Sequence, residues 1–123
     1  MAEIKKAFSG FSVIDVDTTR AFYETHLACT SSTNEMGILS LDLPGGASVM
    51  AYPKPNHQPA SFTILNFTTD DLPTLVDELA ANGVSTERYE GFSQDERGIS
   101  QNAGPLIAWV KDPSGNVLAL LQA

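Results

Sequence analysis

Apolar side chains recur at helical spacing in the second half of the chain. The residues at positions i, i+3, i+4, i+7 and i+8 of this pattern are Leu72, Leu75, Val76, Leu79 and Ala80. They share one face of a helix, and Pro73 near its start and Gly83 after its end are typical boundary residues. A second, less regular helix is predicted at roughly residues 18–27, with Phe22, Tyr23 and Leu27 directed at the core. Both helices are expected to pack on a sheet.

Short apolar runs of strand length surround these two helices. They lie at residues 37–43, 47–52, 84–89, 106–111 and 117–121. The sequences LPGGA (43–47) and DPSGN (112–116) predict hairpin turns, because proline presets φ and glycine supplies the positive φ that a tight turn needs. The run VLALL after the second turn is apolar at every position, which predicts a strand buried on both faces.

The two halves of the chain repeat one pattern. When FSGFSVIDVDTTRAFY (8–23) is placed over ILNFTTDDLPTLVDEL (64–79), Phe11 aligns with Phe67 and Asp15 with Asp71, at a constant offset of 67 − 11 = 56 residues. In each segment an apolar strand leads through Asp or Thr residues, which are good helix caps, into a helix. Each half therefore reads as a strand, a helix and two or three further strands, which predicts two matched modules.

The opening and closing motifs resemble those of the vicinal oxygen chelate superfamily, the group of glyoxalases, bleomycin-resistance proteins and extradiol dioxygenases. The resemblance rests on FSVIDVDTTRAFYETHL (11–27) and DPSGNVLALLQ (112–122) and extends over nearly the whole chain. It implies an α+β fold in which two βαβββ modules form a cupped mixed sheet with the helices outside. Residues 1–123 would then be a single domain, with module one at 1–54, a linker at 55–60 and module two at 61–123. The superfamily spans many chemistries, so the fold alone does not define an activity.

The resemblance also locates the positions at which relatives hold a metal. In metal-dependent members, His, Gln or Glu side chains at equivalent points of the two modules bind a divalent cation. Those positions fall on Phe8, on Ile64, on Ala119 and near Ala51 or Tyr52. Since divalent cations need carboxylate, imidazole or similar donors, we expect no metal and no other cofactor.

Composition narrows the classes of partner. Seven basic and fifteen acidic residues give a net charge of −8, which argues against nucleic acid and favours a cationic or neutral ligand. No apolar run approaches the roughly 20 residues that a membrane span needs, and the first residues lack the apolar centre of a secretory signal, so we expect a cytoplasmic protein without membrane contact. The single cysteine, Cys29, fits a reducing compartment and is typical of a small buried residue.

Strand alternation predicts an apolar and aromatic lining for the cup. Phe8 and Ser12 should share one face of the first strand, and Ile64 and Asn66 the equivalent face of the second module. Whether Trp109 faces the cleft or the helices depends on the hairpin register. The predicted ligand-binding residues are Phe8, Ser12, Tyr52, Phe62, Ile64, Asn66, Trp109 and Ala119.

Two functions fit this lining. The favoured one is a metal-independent binding protein for an apolar or cationic small molecule, similar to the bleomycin-resistance branch. The alternative is a lyase or dioxygenase-type enzyme with a displaced metal site or acid–base chemistry, whose candidates are Tyr52, His57, Glu90 and Asp95. No catalytic pair at defined spacing is identified.

Two further features stay open at this level. The loop at residues 90–104 carries several charges and three glycines, and it is either a solvated connection or a lid over the cup. The resemblance also implies a homodimer, because an open sheet leaves apolar edges that need cover.

Overall fold

The computed structural model describes residues 2–101 and 104–123 and divides the chain into two compact units, Met1–Pro59 and Ala60–Ala123. The boundary lies in the proline-rich sequence that follows the last strand of the first unit. Each unit consists of one sheet with parallel and antiparallel pairs and one helix. The predicted α+β class, built from two modules of the same pattern, is confirmed.

The first unit has a four-stranded sheet in the order β1-β4-β3-β2. Its elements are β1 (Ser9–Val13), α1 (Val16–His26), β2 (Thr30–Thr33), β3 (Leu39–Asp42) and β4 (Ser48–Pro53). The first and last strands pair in parallel, and the other pairs are antiparallel. The ring of Phe11 on β1 lies 6.2 Å from that of the fully buried Tyr23 on α1, so Phe11 marks the face that the helix covers.

The second unit has a three-stranded sheet in the order β5-β7-β6. Its elements are β5 (Thr63–Thr68), α2 (Leu72–Ala81), β6 (Leu106–Lys111) and β7 (Val117–Gln122). Asp71 caps the start of the helix, and its carboxylate accepts hydrogen bonds from the Thr74 backbone N–H and hydroxyl at 3.2 and 2.7 Å. These bonds lower the pKa of the Asp71 carboxyl below its usual value, because they stabilise the charged form.

The hairpin between β6 and β7 is confirmed, with the DPSGN turn closing it. The buried Asp112 carboxylate accepts the backbone N–H groups of Ser114 and Asn116 at 2.9 and 3.0 Å. Gly115 has φ +82°, the left-handed conformation expected of that position. β7 is the central strand, and its residues Val117 to Leu120 are all buried, which explains the continuous apolar run.

Two sequence predictions of strands were wrong in detail. β2, with the sequence TSST, was missed because it has no apolar alternation and lies at a sheet edge. Residues 84–89 are not a regular strand, although the Glu87 N–H donates to the Trp109 carbonyl at 2.8 Å. The side chain of Gln94 bonds the Tyr89 N–H and the Glu87 carbonyl, so a loop residue satisfies backbone groups that a strand would pair.

Within residues 2–101 and 104–123, neither helix has the length and the apolar content required to cross a membrane.

Candidate functional site

Three of the predicted ligand-binding residues form a row across the second sheet. Ala119 on β7 is paired with Trp109 on β6 and with Asn66 on β5. Because directly paired residues point to the same side of a sheet, these three side chains share one face. The opposite face carries Ala108, Val110, Leu118 and Leu120, all with no exposed surface, as expected where α2 packs on β6 and β7. The register therefore places Trp109 on the face away from the helix.

Trp109 is packed, with only 7% of its surface exposed. Tyr89 meets it edge-on at a centroid distance of 5.3 Å, and Phe92 lies 4.9 Å away. Val117 and Ala119 complete this aromatic cluster from β7. The Tyr89 hydroxyl is buried without a hydrogen-bond partner among the described residues, and burial and the nearby Glu87 raise its pKa. Phe92, 45% exposed, presents the accessible aromatic surface here.

The described part of the loop, residues 90–101, is fastened to the segment before it; residues 102 and 103 of the predicted lid lie outside the described residues. Arg88 donates to the carbonyls of Asp95 and Glu96 at 2.6 and 2.9 Å. The Asp95 carboxylate accepts the backbone N–H groups of Arg97 and Ile99, both at 2.9 Å. Asp95, a predicted acid–base candidate, therefore stabilises the backbone conformation of its own loop.

Arg97 ties the same loop to the helix of its unit. Its guanidinium donates to both carboxylate oxygens of Asp77 on α2, at 2.9 and 3.2 Å. The charge-assisted pair raises the pKa of Arg97 above its already high value. Phe92 packs against Trp109, and the hydrogen bonds of Arg88, Asp95 and Arg97 hold the loop in this position. The described part of the loop is therefore an ordered cover on this sheet face.

The remaining predicted residues of the second unit lie along β5 or just before it. Phe62 precedes the strand and is 69% exposed. Ile64 is half-buried at a register shift between Thr63 and Leu65. Glu90, another acid–base candidate, is exposed. None of these three side chains belongs to the aromatic cluster around Trp109.

The first sheet carries an open depression of about 610 Å³ on the face away from α1. Its lining residues come from the segment before β1 and from β2, β3, β4 and their turns: Lys6, Ala7, Phe8, Ser32, Thr33, Asn34, Ile38, Leu39, Ser40, Gly46, Ser48, Val49 and Met50. Of the predicted site residues, Phe8 alone is among them, and it is 61% exposed. The polar members were missed because serine and threonine residues in short strands are typical of a solvated surface.

Ser12 and Tyr52 lie farther along the same face, where they are paired across β1 and β4. The Ser12 hydroxyl oxygen is 2.6 Å from His57 Nδ1, a hydrogen bond that joins β1 to the proline-rich segment. A turn holds His57 there, since its N–H donates to the Lys54 carbonyl and the Lys54 N–H donates to the Val13 carbonyl. The sequence placed His57 in a linker and gave no sign of this partner.

The positions at which relatives hold a metal do not form a donor set. Ala51 pairs with Phe11 and is fully buried on the helix-covered face, so Tyr52 is the one of these two candidates that lies on the open face. Phe8, Ile64 and Ala119 offer no donor atom in their side chains. Among the residues that the structure describes, no group of three or more His, Cys, Asp or Glu side chains converges. These residues do not fit a divalent cation.

Cys29 is buried next to Leu27, whose carbonyl lies 3.5 Å from its sulfur. Burial, assisted by the charge of Glu24, raises the pKa of its thiol to about 11. The thiol stays protonated at neutral pH, so Cys29 is a packing residue and not a nucleophile.

Comparison with known proteins identifies the fold. No family model matches the sequence, and no curated protein matches it. Solved structures do. A member of the glyoxalase/bleomycin resistance protein/dioxygenase superfamily from Sphaerobacter thermophilus has 18% identity and a TM-score of 0.69, with 97% of this chain and 98% of that chain covered.

Two further structures match at similar coverage. The fosfomycin resistance protein FosX from Listeria monocytogenes has 11% identity and a TM-score of 0.73, over 99% of this chain and 95% of that chain. A bleomycin-binding protein, solved in complex with bleomycin, has 26% identity and a TM-score of 0.63, over 98% of this chain and 99% of that chain. The chain therefore has the vicinal oxygen chelate fold that its opening and closing motifs predict.

Proposed function

We propose that this protein binds a small apolar or amphipathic molecule without a metal, on the open face of its first sheet. The observation that carries the proposal is the depression of about 610 Å³. This volume lies within the range of about 300–1,000 Å³ of small-molecule pockets. Phe8, Ile38 and Met50 supply apolar surface, while serine and asparagine side chains supply a few polar groups.

The similar structures support binding as the activity. One of them is a bleomycin-binding protein in complex with its ligand, at 26% identity. The lack of donor atoms at Phe8, Ile64 and Ala119 supports binding without a metal, because a divalent cation at these positions would have no carboxylate or imidazole ligand. Elemental analysis after expression in metal-supplemented medium tests this; about one Zn, Ni, Fe or Mn per chain, lost with a chelator, would contradict it.

The binding experiment is a thermal-shift screen of aromatic and amphipathic compounds, followed by titration of each hit. Met50→Glu places a charge in the depression, and we expect it to weaken binding at least tenfold, because the carboxylate must be desolvated when the ligand enters. Met36→Glu is the matched control, since Met36 is 79% exposed and does not line the depression. Equal binding by wild type and Met50→Glu would show that the ligand sits elsewhere.

A second candidate function has one specific observation in its favour. The bond between Ser12 and His57, with Tyr52 paired next to Ser12, brings two of the predicted acid–base candidates to one face of the first sheet. Acid–base chemistry there would let His57 remove a proton from a carbon acid. The test is exchange of the acidic C–H of carbonyl compounds in D₂O, followed by NMR; exchange that His57→Ala abolishes would favour the enzyme.

A homodimer is part of the proposal. Several large apolar side chains outside the depression are exposed in the single chain, among them Ile4, Ile14, Phe62 and Phe92. Burying such side chains between two copies would stabilise the pair. Sedimentation equilibrium at tens of micromolar should give twice the chain mass of 13.2 kDa; a species of 13.2 kDa would refute the dimer.

A further inference from the structure

We propose that the depression on the first sheet selects amphipathic molecules that carry an anionic group, such as an aromatic carboxylate. This inference rests on the proposed binding function and names the chemistry of its ligand. It runs against the preference for cations that the net charge of −8 suggests.

The depression is polar at one side and apolar at the other. Strand pairing sets Ser32 on β2 opposite Ser40 on β3, and Ser40 opposite Met50 on β4. Met50 in turn is paired with Gly10 on β1, and its side chain lies 3.4 Å from the point where a Cβ on Gly10 would be. Two hydroxyls therefore stand next to each other at the edge of the sheet, and apolar surface follows towards β1.

Neither Ser32 nor Ser40 has a side-chain hydrogen bond to another residue of the described ranges. Ser48 differs, because its hydroxyl donates to Asp42 at 2.8 Å. A hydroxyl without a protein partner is free to donate to an oxygen atom of a bound ligand.

Lys6 supplies the charge. Of the described residues that line the depression, it alone has a side chain of the acidic or basic type. Its ammonium lies 5.7 Å from the centre of the Phe8 ring, so the cation is already held next to the apolar wall. A ligand cation entering there would meet a like charge, whereas an anion would gain an opposite one.

Acidic residues near the depression oppose this preference. Glu35 is the chain neighbour of the lining residue Asn34 and is exposed. Asp42 lies on the same sheet face, one row from Ser40, but it is exposed and accepts the Ser48 hydroxyl. Distant carboxylates act weakly, since exposed charges beyond about 8 Å are screened at physiological ionic strength. We therefore expect Lys6 to make the depression prefer anionic over cationic ligands. Removal of the Asp42 charge should strengthen anion binding.

The test uses three probes with one ring system: naphthalene-2-carboxylate, naphthalen-2-ylmethanol and naphthalen-2-ylmethylammonium. Dissociation constants are measured by chemical-shift titration at physiological ionic strength on the full chain. We expect the carboxylate to bind about fivefold more tightly than the alcohol, equivalent to a contact charge pair in water of about 1 kcal/mol. The ammonium should bind most weakly of the three.

Three variants test whether residues at the depression cause the preference for the carboxylate. Lys6→Met should remove the advantage of the carboxylate over the alcohol, and Asp42→Asn should increase that advantage. Lys54→Met, which removes the same charge from an exposed lysine outside the depression, is the control and should change nothing.

The outcomes separate this inference from the proposed function. Binding of the alcohol or the ammonium at least as tight as that of the carboxylate would overturn the anion preference and leave the binding function intact. The same preference in wild type and Lys6→Met would also overturn the inference. If no probe shifts resonances of the first sheet, the binding function fails there, and the inference fails with it.

Discussion

On both sheets the face away from the helix carries aromatic residues, but the packing of these residues differs between the two sheets. On the second sheet, Trp109 is buried under Tyr89 and Phe92. On the first, Phe8 is largely exposed at the side of a depression. The connection after each helix makes the difference. In the first unit β2 follows α1 after three residues, whereas residues 82–105 separate α2 from β6.

The comparison teaches that repeated modules do not imply repeated sites. The strands that carry the echo, β1 and β5, both pair in parallel with the last strand of their unit. The long connection of the second unit then supplies its own aromatic side chains to the sheet face. Accessible surface is thus decided by the connections and not by the repeated strands.

The largest expected effect separates a packed aromatic from an exposed one. Trp109→Ala should lower the free energy of unfolding by about 3–5 kcal/mol, because it empties the centre of the aromatic cluster. Phe8→Ala should change it by less than about 0.5 kcal/mol, since Phe8 makes little buried contact, and should weaken ligand binding instead. Urea unfolding followed by circular dichroism measures both. Similar losses in the two variants would remove the distinction between the two faces.

A smaller effect tests how firmly the connection in the second unit is held. Gly98 has φ +84°, and a Cβ there would lie 2.8 Å from Cβ of Thr86 and still closer to its hydroxyl oxygen. Thr86 donates that hydroxyl to the Arg97 carbonyl at 2.7 Å, so it cannot move without breaking the bond. Gly98→Ala should therefore cost about 2–4 kcal/mol of unfolding free energy.

Gly91→Ala is the control for backbone strain alone. Gly91 has φ +87°, nearly the same conformation, but a Cβ on Gly91 would have no atom within 4 Å beyond its chain neighbours. Its substitution should cost about 1–2 kcal/mol. If urea unfolding gave the same loss of unfolding free energy for both variants, the contact with Thr86 would relax without cost. The connection would then be less firmly held than its hydrogen bonds indicate.

The smallest effect concerns the helix start of the second unit. Hydrogen bonds from Thr74 lower the pKa of Asp71 in the folded state below its unfolded value, so the stabilisation is present above the unfolded pKa and is lost as pH falls through the folded pKa. NMR titration should give a higher pKa for Asp71 in Thr74→Val, which lacks the hydroxyl donor. An unchanged pKa would show that the backbone N–H alone causes the shift.

The sequence predicted the fold far better than the site. The stripe from Leu72 to Leu79, the cap at Asp71 and the turn at Asp112 follow from local spacing and turn chemistry, and the structure confirms them. The bond between Ser12 and His57 joins residues 45 positions apart, and the depression is assembled from five separate segments. Long-range contacts of this kind depend on strand order and register, which a periodic pattern does not encode.

Strand alternation left the direction of Trp109 open, and the strand pairing places Trp109, Ala119 and Asn66 on one face. It did not predict that Tyr89 and Phe92 would cover the indole, because the apolar pattern of residues 84–89 is typical of a strand. The side chain that replaces strand pairing there, Gln94, lies in a segment with no periodic signal.

The parallel pairing of the first and last strands in each unit has a consequence for the order of events during synthesis. β1 cannot pair until β4 has been made, and β5 and β6 have no common partner until β7 has been made. Each sheet therefore closes late, after loop-closure entropy has been paid over a whole module. The first unit has all its strands once Pro53 has left the ribosome, whereas the second leaves β5 and β6 without their shared partner until its central strand emerges.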